Sequence, residues 1–195
     1  MNISIKLLFL VVLSTVSCGK NSYTPKPHAY PKIIFPQRGF ELFQPNCPFE
    51  MEKPIYSKMI PDSGDFSEPC WYNMFIPSFD ATLHLSYKHF YDPKQLDSMM
   101  EDAYKLVFKH TIKAEDIEEI ELKNKYNYNG ILYDISGNTA TPLNFYISDG
   151  KQNFIRGAFY FNNHTSRDSV APIVSFVRED IMAMINSIKF KMSNR

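Results

Sequence analysis

The chain has 195 residues with 21 basic and 21 acidic side chains, so its formal charge is balanced. That length suits one domain of ordinary size, and without a basic patch nucleic acid is excluded as an expected partner. The 16 Phe and 12 Tyr against one Trp, with 13 Pro and 7 Gly, predict rigid connections and β-structure.

The first stretch, MNISIKLLFLVVLSTVS, places one charge, Lys6, ahead of the apolar run Leu7 to Leu13. Thr15, Val16 and Ser17 then lead to Cys18. That order predicts a lipoprotein signal peptide over 1–17 and acylation of the Cys18 thiol as the new N-terminus. An ordinary secretory signal is the competing reading. A membrane-spanning helix needs about 20 apolar residues, and this run is too short. Residues 18–31 read as the lipidated cysteine and an extended tether, because Pro25, Pro27 and Pro31 favour a polyproline-like spacer. No acidic run follows Cys18, which favours a periplasm-facing protein over a surface-exposed one. Residues 32–195 read as a single globular domain.

Prolines at 36, 45, 48, 54, 61, 69 and 77 divide the next stretch into short pieces, with strands expected at 32–35, 49–53 and 71–76. Cys47 and Cys70 are the two remaining cysteines. In an exported domain they most simply pair with each other, closing a loop worth about 3 kcal/mol. A reactive thiol or a metal pair is the alternative, but no ligand-spaced His or Cys stands near either.

Residues 81–88, ATLHLSYK, alternate apolar and polar and predict a half-buried strand. Asp92-Pro93 supplies an N-cap and a first-turn proline. Leu96, Met99, Met100, Ala103, Val107 and Phe108 then recur at helical spacing, so 93–110 is an amphipathic helix. Strands follow at 116–123, 130–137, 142–150 and 153–161, with turns at Gly137-Asn138 and Asp149-Gly150. Asp168 and Ser169 open a final helix with Pro172 in its first turn and an apolar stripe from Ile173 to Ile188. The order predicts an α+β domain, a curved antiparallel sheet packed by two amphipathic helices.

Candidate chemistry is sparse. The histidines at 28, 84, 89, 110 and 164 lack metal-ligand spacing. His84 reads as an exposed strand residue and His110 as a helix-terminal one. Asp116, Glu118, Glu119 and Glu121 read as a solvated face, as do Glu101-Asp102 and Glu179-Asp180, with Lys105 as a helical pairing partner. Trp71 is expected to pack on the Cys47–Cys70 bridge, with an exposed binding aromatic as the alternative. Arg156, inside an apolar strand, is placed on the outer face, or else holds an acidic partner. No nucleophile elbow and no phosphate-cradling loop is present. Neither a catalytic residue, a cofactor nor a metal is expected, and the chain is not expected to be an enzyme.

Beyond Cys18, the chain carries YTPKP at 23–27, NCPF at 46–49, EPCW at 68–71, HLSYK at 84–88 and KHTIKA at 109–114. GILYDISGNTATP at 130–142, FIRGAFYF at 154–161, DSVAP at 168–172 and REDI at 178–181 follow in order. On these strings the chain resembles the gliding-motility lipoprotein GldD family of Bacteroidota over nearly its whole length. The resemblance implies a lipid-anchored envelope protein needed for gliding motility and the linked type IX secretion system. Its implied partners are the membrane, through Cys18, and other envelope proteins of that machinery. It implies no catalytic residues. The element order also resembles the PsbP/Mog1-type fold. The alternative reading is a periplasmic binding module holding a small lipid or glycan on its sheet face.

Overall fold

The computed structural model describes residues 33–109, 114–137, 139–163 and 167–191, with side chains of the last stretch described from residue 170. The signal segment, Cys18, the tether, His28, His110, His164, Asn138 and the side chains of Asp168 and Ser169 lie outside the described residues.

Among the described residues, ten strands and two α-helices follow in the order β1 (Phe40–Phe43), β2 (Phe49–Pro54), β3 (Lys58–Pro61), β4 (Tyr72–Ile76), β5 (Ala81–His89), α1 (Pro93–Lys109), β6 (Ala114–Lys123), β7 (Asn129–Gly137), β8 (Leu143–Ser148), β9 (Asn153–Phe161), α2 (Arg167–Ser187) and β10 (Lys189–Phe190). A seven-stranded sheet runs β3-β4-β5-β9-β8-β7-β6, and a three-stranded one runs β1-β2-β10. Every pairing is antiparallel. The protein is therefore α+β.

Alternation within the strands gives the large sheet two apolar faces. On one face Leu83, Leu85, Leu132, Leu143, Phe145, Ile147, Ile155 and Phe159 meet Val177, Ile181, Met184, Ile185 and Ile188, which belong to α2 and its C-terminal exit. Each of those last five side chains is at most 2% exposed, and burying each stabilises the fold by about 1.5–3 kcal/mol. Phe49 and Met51 of β2 join the same core. On the other face Tyr133, Ile135, Tyr146 and Phe154 meet Ala103 and Val107 of α1. The helices thus cover opposite faces.

Local chemistry explains the boundaries. Asp92 caps α1, its Oδ1 accepting from Gln95 N–H at 3.0 Å, while Gln95 Oε1 accepts from Tyr91 N–H at 2.8 Å. Helix α2 begins at Arg167, one residue ahead of Asp168, and Pro172 lies inside it, just past its first turn. That proline removes one backbone bond near an end already poor in them. The Asn124 side chain (β6–β7 loop) donates to the Ile188 carbonyl at 2.8 Å and accepts from Tyr126 and Tyr128 N–H, each at 3.0 Å, tying the hairpin to the end of α2.

One expectation is corrected. The described part of the strand expected at 32–35, residues 33–35, is not a strand; the segment docks on α2 instead, with Phe35 against Phe176 at 4.9 Å and the Arg38 guanidinium 4.4 Å from the Phe176 ring centre. Three short strands, β1, β3 and β10, carry no alternation long enough to read from sequence.

Candidate functional site

Cys47 and Cys70 form a disulfide with their Cα atoms 5.8 Å apart. Cys47 lies just ahead of β2 and Cys70 just ahead of β4, so the bond joins the small sheet to the large one. The Tyr72 hydroxyl lies 3.8 Å from Cys47 Sγ. The Trp71 indole instead donates to the Tyr87 carbonyl at 3.0 Å, which holds the ring against β5.

Helix α1 covers only part of its sheet face. It sits over β7, β8 and the start of β9. Asn73 and Phe75 of β4, Thr82, His84 and Ser86 of β5 and Tyr160 of β9 share the same face, beyond the helix, because they fall on the same parity of the pairing register. His84 is exposed there, with Nδ1 2.6 Å from Asn73 Oδ1 and its ring edge-on to Tyr160 at 5.2 Å. Partial desolvation lowers its basicity, Asp62 opposes that, and the Arg156 charge reinforces it.

Arg156 sits at the seam between the covered and open parts. Its neighbours across the ladder are Ser86 and Tyr146. It is half-buried rather than on an open outer face, and burial pulls its guanidinium below the ordinary value. Among the described residues no carboxylate pairs with it. A groove of about 430 Å³ opens over it, walled by Trp71, Lys88, Phe154, Met99 and Leu106. Lys88 itself is engaged by Glu68 at 3.1 Å.

A second groove, of about 490 Å³, lies between α2 and β7, where Arg178 Nε meets Asp134 Oδ2 at 2.7 Å. Burial raises the Asp134 pKa, and the Arg178 charge works against that rise.

The remaining sequence candidates separate into distinct surroundings. Asp116, Glu118, Glu119 and Glu121 are exposed along edge strand β6. Glu101 pairs with Lys105 at 2.7 Å, an i,i+4 contact. Asp180 departs from the expected solvated face: it is 3% exposed, accepts a short hydrogen bond from the Tyr56 hydroxyl and lies 3.4 Å from Arg38 Nε. The sequence carries a signal for this, since position 180 falls inside the helical stripe of Val177, Ile181 and Met184. Among the described residues no three His, Cys, Asp or Glu side chains converge as metal ligands, and no helix is long and apolar enough to cross a membrane.

An apolar strip is exposed on the small sheet. Phe40 and Leu42 alternate onto one face of edge strand β1 and are 40% and 63% exposed. Ile55, 47% exposed, lies beside them, its N–H bonded to the Gly39 carbonyl at 3.0 Å.

No curated protein matches the chain. Among solved structures it is similar to the solution structure of cyanobacterial PsbP (CyanoP) from Synechocystis sp. PCC 6803, with 11% identity and a TM-score of 0.48 over 85% of this chain and 99% of that one. The fold assignment rests on the chain's own strand order and not on that likeness. Residues 20–190 match the family described as gliding motility lipoprotein GldD. The chain therefore belongs to the GldD family of gliding motility lipoproteins, membrane-anchored proteins of the cell envelope with a role in gliding.

Proposed function

We propose that the protein is a lipid-anchored, periplasm-facing component that assembles or stabilises the gliding machinery and its associated type IX secretion system by binding other envelope proteins, without catalysis of its own. Family membership over residues 20–190 carries this reading. Acylation of Cys18 with more than one chain gives stable anchoring. Anchoring raises the effective concentration of the domain toward membrane-bound partners, so a modest surface suffices. The exposed strip of Phe40, Leu42 and Ile55 on edge strand β1 supplies such a surface. Among the described residues its outer ladder edge has no strand partner, and that edge with its apolar side chains suits a partner strand.

The test deletes the gene, scores colony spreading and secretion, and complements with the unchanged gene, Cys18→Ala and Leu42→Lys. Both variants are expected to accumulate as folded protein and to fail in rescue. In-cell crosslinking of the unchanged protein is expected to recover components of the gliding or secretion apparatus, and Leu42→Lys to lose them. Full rescue by Cys18→Ala, or crosslinking that captures no such component, overturns the reading.

A further inference from the structure

We propose that the groove between α1 and the β5–β9 ladder is a binding site for a small organic carboxylate, with the carboxylate seated on Arg156 and its apolar body against Trp71, Phe154, Met99 and Leu106.

The first reason is the unmatched cation. Arginine stays charged in proteins, and a desolvated charge without a counter-ion is costly. Arg156 projects from a central strand of the large sheet, flanked by β5 and β8. It lines a groove of about 430 Å³ and, among the described residues, has no carboxylate partner. The same burial that lowers its pKa strengthens an anion's attraction to it.

The second reason is the charge count, which selects a monoanion. Lys88, the other cation of the groove, is 3.1 Å from Glu68 and already compensated. Among the described residues the one acid in the lining is Asp102, exposed on α1. One guanidinium without a counter-ion suits a single negative charge, and the exposed Asp102 carboxylate in the same lining disfavours a phosphate dianion. The planar fork of a guanidinium matches the two oxygens of a carboxylate. Ser86 stands opposite Arg156 on β5, and Ser98 and Gln95 reach the groove from α1, offering hydrogen bonds to the rest of the head group.

The third reason is the apolar wall. Phe154, Met99, Leu106 and the Trp71 ring line one continuous groove with the cation. Such a mixture of apolar lining and one well-placed charge is the usual make-up of a small-molecule site. Two sources share this chemistry, an acyl chain ending in a carboxylate and an aminoacyl carboxylate such as a peptide terminus. This inference does not depend on the β1 surface proposed above, and variants of one site leave the other intact.

The test uses the sole tryptophan, Trp71, as the reporter. The full chain in neutral maltoside micelles is titrated with hexanoate and N-acetyl-leucine. The uncharged hexanamide and N-acetyl-leucinamide, and hexyl phosphate, serve as comparisons. At least one carboxylate is expected to give a saturable change in Trp71 fluorescence, with its amide weaker by about tenfold or more, the cost of one charge-assisted contact. A response to hexanoate alone assigns an acyl ligand, and one to N-acetyl-leucine alone assigns an aminoacyl ligand. Arg156→Gln is expected to lose about tenfold in affinity, and Ser98→Phe, at an exposed helix position, to block the groove. If Arg156→Gln does not fold, the acid–amide comparison and Ser98→Phe carry the test. Equal binding of acids and amides, tighter binding of hexyl phosphate than of either carboxylate, or unchanged affinity in a folded Arg156→Gln overturns the proposal.

Discussion

At the residue scale, the centre of the large sheet is fixed by what is missing at Gly157. Phe145 of β8 lies directly across from Gly157 of β9 and is 1% exposed. A Cβ on Gly157 would lie 2.1 Å from Cε1 of the Phe145 ring, far inside contact distance. The ring has nowhere to go in a packed core. Gly157→Ala is therefore expected to cost about 1–3 kcal/mol through overpacking, read by urea unfolding. Asp149 makes a different point at the β8–β9 turn. Burial alone would raise its pKa, but the Asn153 side chain and the N–H groups of Asn153, Gln152 and Lys151 outweigh that and hold it below the ordinary value. Asn153 in turn accepts from the Tyr87 hydroxyl at 2.8 Å. A lowered carboxylate pKa means the unfolded chain takes up the proton first. Its stabilisation is thus complete above the ordinary carboxylate range and is lost as pH falls through the lowered folded value. Asp149→Ala is expected to cost about 1–3 kcal/mol at pH 7. The gap to the unchanged protein should narrow as unfolding is repeated at progressively lower pH.

At the scale of elements, α2 shows why sequence periodicity succeeds and where it stops. The stripe from Val177 to Ile188 is read correctly because every apolar position falls on one face. Asp180 occupies that same face, yet its partners come from far away in sequence. Tyr56 follows β2, and Arg38 lies in the segment ahead of β1. Burial and the Asp180 carboxylate push the Tyr56 hydroxyl well above its ordinary pKa, so it stays a donor. Tyr56→Phe leaves the buried Asp180 carboxylate with Arg38 as its remaining side-chain partner and is expected to cost about 1–3 kcal/mol. A double-mutant cycle with Asp180→Asn should return a coupling well above zero; additive effects would show that the pair does not act as a unit. The same limit explains Arg156. Its lone charge in an apolar strand is visible in the sequence, but that α1 walls the groove above it follows from the order β5-β9-β8, which local patterning does not encode. Antiparallel hairpins such as β7–β8 and β8–β9 are legible because short turns force them. The pairing of β5 with β9, across α1 and three strands, is set only by the completed fold.

At the scale of the molecule, the two sheets are held together in two ways, and the balance between them decides what reduction does. The Cys47–Cys70 bond links the approach to β2 with the approach to β4 across 23 residues. Independently, Phe49 and Met51 of β2 are buried at 2% and 1% exposure in the core shared with α2, and Lys191 N–H bonds the Pro48 carbonyl at 2.8 Å. The covalent link acts chiefly by restricting the unfolded chain, for about 3 kcal/mol at this loop length. The apolar packing acts on the folded state and survives reduction. The Cys47→Ser/Cys70→Ser pair is therefore expected to fold with an unchanged circular dichroism spectrum and to melt about 6–12 °C lower. Exposure of the Phe49–Met51 strand in that variant, seen as lost hydrogen-exchange protection in β2 under native conditions, would show instead that the bridge holds the small sheet in place.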